Sequence, residues 1–131
     1  MNFNILKSNH ILIKCEINNI KGNFIIDTGA SNSCIDYKKS EKFNIKFEIS
    51  NESATSATNK IKKLFISKNN KIKVDDWFLE DFDLILFDMK QVIDTIVSQC
   101  DVEIDGIIGS DILKKGKAII NYKLNKIQLE F

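Results

Sequence analysis

The chain has 131 residues, 44% of them hydrophobic and 28% charged, with a net charge of +1, which are the proportions of one globular domain over residues 1–131 rather than two. All 19 basic residues are lysines, so the bidentate arginine fork that reads phosphates and base edges is missing and no nucleic-acid partner is expected. No apolar run reaches the length of a membrane span, no signal peptide is visible, and 3 widely spaced cysteines with 1 histidine make neither a disulfide framework nor a zinc site; the expectation is a cytoplasmic chain with no membrane contact, no metal and no cofactor.

Residues 3–6 read as a short strand. Ile11, Ile13, Cys15 and Ile17 then alternate with Lys14, Glu16 and Asn18, the pattern of a half-buried strand whose outer face is blurred by Leu12. Asn18-Asn19 predicts a turn, and Ile20–Ile26 the returning arm, with Gly22 as a bulge or a point of close approach. Residues 32–42 predict a turn or short helix, and 43–49 a strand. The polar segment 50–60 reads as a surface loop or as a mobile hairpin over a cleft.

Two strands, 61–67 and 71–74, are expected around a hairpin turn at Lys68-Asn69-Asn70, followed by a buried strand at 84–86. Asp88 and Gln91 resemble a capping box for a helix over 89–99, with Met89, Val92, Ile93, Ile96 and Val97 on one face. Asp105-Gly106 predicts a turn, Ile107-Ile108 a short strand and 110–116 a short helix capped by Ser110 or Asp111, with Gly116 as its C-terminal stop. Two closing strands, 117–122 and 126–130, flank a turn at Leu124-Asn125.

The chemistry concentrates at Asp27-Thr28-Gly29-Ala30-Ser31, directly after Phe24-Ile25-Ile26. A carboxylate at the end of a buried strand is costly unless hydrogen bonds or a shared proton compensate it, and the small residues after it offer hydroxyls and backbone N–H groups. No second acid with a matching context occurs in the chain. Apolar strand then Asp27-Thr28-Gly29 is weakly echoed by apolar strand then Gly109-Ser110-Asp111. Cys34 has no histidine partner and reads as a buried or free thiol, Trp77 and Phe78 as core aromatics, and Asp81, Asp83 and Asp88 lack a calcium-loop pattern.

Residues 24–31 resemble the catalytic motif of retropepsin-like aspartic proteases. Ile107-Ile108-Gly109-Ser110-Asp111-Ile112-Leu113 resembles their second motif, and 118–129 the closing strands of the bacterial and cellular members. The resemblance implies an all-β fold, a closed acid-protease barrel of retropepsin type with one or two short helices. It implies an endopeptidase in which Asp27 meets its copy across a homodimer axis and activates water to hydrolyse a peptide or protein substrate. In the same terms, Thr28 reaches the opposite chain, Gly29 gives its backbone room, Ala30 keeps the cleft open, Ser31 bonds substrate backbone and Gly109 lets the second strand pack under the catalytic loop. Asp111 reads as a helix cap or a local hydrogen-bonding group.

The sequence departs from the viral pattern in three places. Ser31 and Ser110 stand where an acidic residue and an arginine commonly pair; segment 50–60 has no glycine; and residues 64–104 hold extra material, including the predicted helix. A non-catalytic domain of the same fold, used for dimerisation or peptide capture, is the alternative reading.

Overall fold

A computed structural model of the chain describes residues 1–49, 54–55, 61–98 and 101–131. In chain order the elements are β1 (Asn4–Ile5), β2 (Ile11–Ile17), β3 (Ile20–Ile26), β4 (Cys34–Asp36), a 3-10 turn (Tyr37–Lys39), β5 (Glu48–Ile49), β6 (Ala54–Thr55), β7 (Ile61–Lys62), β8 (Phe65–Val74), β9 (Trp77–Phe87), α1 (Lys90–Val97), β10 (Gly106–Ile108), α2 (Ser110–Lys115), β11 (Ile119–Asn121) and β12 (Lys126–Gln128). Strands β2-β3-β10-β4-β9-β8 follow one another in space, and β8 pairs back onto β2, which closes a six-stranded mixed barrel. β1 extends the sheet beside β2, β5 extends it beside β8, and β11–β12 and β6–β7 form separate two-stranded ribbons. The all-β acid-protease barrel is therefore the architecture adopted, with two short helices.

Period-2 alternation divides the apolar residues between two cores. Ile11, Ile13, Cys15, Ile17, Phe24, Ile26, Ile35, Leu84, Leu86 and Ile108 fill the barrel. Leu12, Ile25, Cys34 and Ile107 face outward, where Met89, Ile96 and Ile104 cover them. This second core explains why Leu12 breaks the polar alternation of β2 and why β3 and β10 read as continuous apolar runs: these strands are buried on both faces.

Several local expectations give way to the structure. Residues 43–49 are a strand only at Glu48–Ile49. Asn44 takes a left-handed conformation (φ 53°), Ile45 N–H donates to Ser40 O at 2.9 Å, and the Asn18 side chain donates to Phe43 O at 3.1 Å, so the segment spends its hydrogen bonds on a turn while Phe43 and Ile45 stay buried. Lys68-Asn69-Asn70 is not a hairpin turn but an irregularity inside one long strand, with Asn69 at φ 62° and a register shift against β9. Buried Asn70 donates to Ser67 Oγ at 2.9 Å and accepts from Asn18 at 3.0 Å, which replaces the lost ladder bonds. The hairpin turn falls at Asp75-Asp76 instead, and β9 runs 11 residues rather than three.

Strand β4 lies within 32–42, where only a turn or short helix is expected from sequence; Ser33-Cys34-Ile35-Asp36 is too short for a periodic signal, and burial on both faces identifies it. Gly22 forms no bulge, since it pairs in register with Cys15, but it is a close-approach point: a Cβ there would lie 2.6 Å from Phe43 Cζ. Helix α1 begins and ends inside the predicted 89–99, of which residue 99 lies outside the described residues. Its expected capping box is absent: Asp88 accepts from Lys90 N–H at 3.0 Å, and Met89 holds the cap position. In the loop predicted at 50–60, residues 50–53 and 56–60 lie outside the described residues; Ala54 pairs with Lys62 and Thr55 with Ile61.

Candidate active site

Strands β3 and β10 run parallel with Phe24 opposite Gly106, Ile25 opposite Ile107 and Ile26 opposite Ile108. Both therefore end at the same level, with the Asp27 turn beside Gly109. The backbone joins them directly: Asp27 N–H donates to Ile108 O at 3.0 Å and Ser110 N–H to Ala30 O at 2.7 Å. Within the turn, Ala30 N–H donates to Asp27 O at 3.1 Å, and Gly29 N–H donates to the Asp27 carboxylate at 2.9 Å.

Asp27, Thr28, Gly29 and Ser31 are exposed and Ala30 half-buried. The carboxylate is thus exposed just past the ends of β3 and β10, and the cost of burial anticipated from its position after an apolar strand is not incurred within one chain. Among the described residues the buried carboxylates are others, Asp36 and, most completely, Asp105. Asp105 is 0% exposed and lies where a turn is expected from sequence. It accepts from Asn23 N–H at 2.8 Å and from Lys42 Nζ at 3.0 and 3.1 Å, with Lys39 Nζ 3.8 Å away. Its backbone bridges Asn23 O and Asp36 N–H, which ties β3 to β4 at the start of β10.

Gly109 sits under the turn. A Cβ added to it would lie 2.6 Å from Ala30 O and 3.1 Å from Asn32 C and O. Its backbone is extended (φ −100°, ψ −172°), so close approach and not conformational freedom demands glycine. Gly109→Ala is expected to destabilise the chain by about 1–3 kcal/mol, since backbone must shift to admit the methyl. Thermal melting of the variant measures the loss, and a melt equal to that of the parent would contradict this packing.

Two contacts escape the sequence reading. Ser33 is buried, accepts from Gly109 N–H at 2.8 Å and donates its hydroxyl to Asp111 Oδ1 at 2.7 Å. Asp111 also accepts from Ser33 N–H at 2.9 Å and Ile112 N–H at 2.8 Å. Asp111 therefore does bond locally, but its principal partner lies 78 positions away in sequence. Gly109 occupies the N-cap of α2, and neither Ser110 nor Asp111 does.

Cys34 and Cys15 are buried free thiols. Burial pushes the Cys34 thiol up to about 12, against a hydrogen bond from the Ile107 backbone that lowers it and with the charges of Asp111 and Asp27 adding to the rise. Cys15 is likewise raised, first by burial and then by Asp105 and Glu16. A raised thiol contributes stability that is complete below its unfolded pKa and is lost as pH climbs toward the folded value. In a Cys100→Ser variant, iodoacetamide at pH 8 is expected to label neither thiol until the protein is denatured, and stability should fall above about pH 9. Labelling of the native protein at the denatured rate would contradict the burial.

Thr28 lines an open groove of about 300 Å³ with Ser110, Leu113, Lys114, Lys117, Ala118 and Ile120, so the turn abuts α2 and β11. Among the described residues no cluster of histidine, cysteine or acidic side chains could hold a metal ion, and no helix is long and apolar enough to cross a membrane.

Comparison with known proteins agrees with this geometry. A sequence model described as aspartyl protease matches residues 13–112, which takes in both β3 with its turn and β10 with Gly109. Among solved structures, the chain is similar to the retroviral protease-like domain of Ddi1 from Leishmania major (TM-score 0.63, 17% identity, 92% of this chain and 87% of that one). It is similar to a retropepsin-like aspartic protease from Rickettsia conorii (TM-score 0.61, 17% identity, 92% and 83%). It is also similar to the EIAV protease complexed with the inhibitor HBY-793 (TM-score 0.57, 16% identity, 79% and 85%). The search of curated proteins found no match. With the family model spanning most of the chain and the barrel shared with these structures, the chain belongs to the aspartyl protease family and has a retropepsin-like fold.

Proposed function

We propose that the chain is one half of an aspartic endopeptidase, with Asp27 from each of two copies forming the catalytic pair. The observation that carries this reading is the Asp27-Thr28-Gly29 turn: an exposed carboxylate just past the parallel ends of β3 and β10, oriented by Gly29 N–H, with its backbone fixed to β10 through Ile108 O. A twofold axis supplies the second carboxylate without any further element. Two carboxylates in contact do not readily both ionise, so they share a proton and titrate as a pair. The ionised member takes a proton from a bound water, the water oxygen attacks the peptide carbonyl, and the protonated member donates to the carbonyl oxygen. The roles then reverse as the amine leaves with a proton. Water and two acids suffice for this chemistry.

In this reading Thr28 and Gly29 approach the partner's turn, Ala30 leaves room for substrate, Ser31 bonds substrate backbone and Gly109 supports the turn from below. The dimer face is drawn from the same end of the molecule. Ile119, Tyr122 and Leu124 on the C-terminal ribbon are 60%, 63% and 59% exposed, and β11, whose Ile120 lines the groove with Thr28, pairs only with β12 among the described residues. An open apolar strand edge beside the proposed catalytic turn is suited to a second copy.

A site made from two chains makes activity depend on assembly. Peptide-cleaving activity per milligram should rise with protein concentration through the dimer range, and excess Asp27→Asn chain should suppress wild-type activity by forming mixed dimers. Activity independent of concentration, with an ultracentrifuge showing only monomer, would contradict a shared site. Tight peptide binding without cleavage from acidic to neutral pH would favour the non-catalytic alternative.

A further inference from the structure

Along β3, Phe24 and Ile26 point into the barrel and Ile25 points outward; along β10, Ile108 points inward and Ile107 outward. Continued by one residue, the alternation brings Asp27 off β3 on the outward side, the side of Ile25, Ile107 and Cys34. Ala30, in the same turn, packs against that outer cluster. The Asp27 charge is also among the causes that raise the Cys34 thiol, which agrees with a carboxylate close to this face.

The outer face is not open. Met89, Ile96 and Ile104 are buried in the cluster that covers it, and Val92, Ile93 and Val97 pack against it half-buried. Helix α1 is thus anchored by one stripe, while Val92, Ile93 and Val97 beside it stay partly accessible and pack, like Ala30 of the proposed catalytic turn, against the same outer cluster. The polar positions Gln91, Asp94 and Thr95 are exposed.

We propose that α1 is the specificity wall of the Asp27 site: an apolar side chain of an extended peptide held over Asp27 packs against Ala30 and the half-buried side of α1, and the bulk of Val92, Ile93 and Val97 limits its size. The inference rests on the peptidase reading. Its physical basis is that Ile25, Ile107 and Leu12 are already covered, so a substrate side chain cannot descend to the sheet and must stop at the helix. Met89 and Ile96 hold the helix; the three half-buried residues shape what remains.

The test uses non-hydrolysable peptides with a hydroxyethylene isostere at the cleavage position and alanine, leucine or phenylalanine before it. Binding is followed by methyl and amide NMR on the wild-type chain, and by affinity on wild type, Ile93→Ala and Val97→Ala, which leave the anchors intact. Methyl signals of Val92, Ile93 and Val97 should move together with the amides of residues 27–30. At least one variant should improve phenylalanine relative to alanine by about tenfold. Peptides that shift the turn but leave the α1 methyls still, with unchanged preference in both variants, would overturn the wall and leave the peptidase standing. Peptides that never touch the turn would overturn both. The wild-type methyl shifts decide the matter even if a variant fails to fold.

Discussion

Asp27→Asn is expected to reduce peptide hydrolysis by at least about a thousandfold, because it removes the group that takes and returns the proton. The fold should survive. Asp27 is exposed, and its carboxylate is engaged by Gly29 N–H, which an asparagine Oδ1 accepts equally well. Melting within a few degrees of wild type is therefore expected, with the dimer retained. Asparagine is a cleaner probe than alanine, which would also free the Gly29 donor and loosen the turn. Cleavage at the wild-type rate would end the catalytic assignment, and loss of folding would mark Asp27 as structural instead.

Asp105→Ala should produce the largest loss of stability of any single acidic replacement described above, about 3 kcal/mol, or roughly 10 °C in melting temperature. Its carboxylate loses together the Asn23 N–H bond at 2.8 Å, the two Lys42 contacts at 3.0 and 3.1 Å and the Lys39 ammonium at 3.8 Å. The cost lies at the lower end for a buried pair because Lys42 is 37% exposed and can recover water, whereas the Asn23 N–H cannot readily do so. Asp105→Asn keeps an acceptor for Asn23 and should lose less. Next to it Glu103 pairs with Lys39; that hydrogen bond holds the Glu103 carboxyl below its ordinary value. A lowered carboxyl contributes stability above its unfolded pKa and loses it as pH falls through the folded value, so the Glu103 contribution is lost in acid. Because Glu103 is largely exposed, that contribution is small beside Asp105. Denaturant melts of both Asp105 variants check the ranking; alanine and asparagine variants each as stable as wild type would contradict it.

The parts of the fold that were legible in sequence are those with a strong period or a sharp stop. Strands β2 and β3 and their Asn18-Asn19 turn were readable because β2 alternates, β3 ends in an apolar run and asparagines accept positive φ. The face of α1 was readable from apolar spacing alone. The echo between Asp27-Thr28-Gly29 and Gly109-Ser110-Asp111 proves to have a geometric meaning, since β3 and β10 are parallel neighbours in register.

Elsewhere, tertiary contacts overrode local pattern. The alternation of 43–49 was real as burial of Phe43 and Ile45 but false as strand, because Asn18 and Ser40 satisfied the backbone first. Lys68-Asn69-Asn70 looked like a turn because a chain irregularity uses the same residues, and only its partner strand β9 distinguishes the two. The Ser33–Asp111 link and the Asp105 cluster join residues far apart in sequence, which no window can register. Within the proposed site, residue types and order were visible, whereas the exposure of the carboxylate was the reverse of what the apolar strand before it implied.

The most direct measurement of whether two copies of Asp27 meet is a crystal structure of the protein with a non-hydrolysable peptide bound. The expected result is a twofold dimer in which the two Asp27 carboxylates lie within hydrogen-bond distance of each other, about 2.5–3.2 Å, and of the isostere hydroxyl. A peptide bound to a single chain, or a dimer that holds the two Asp27 side chains apart with the peptide in place, would contradict it.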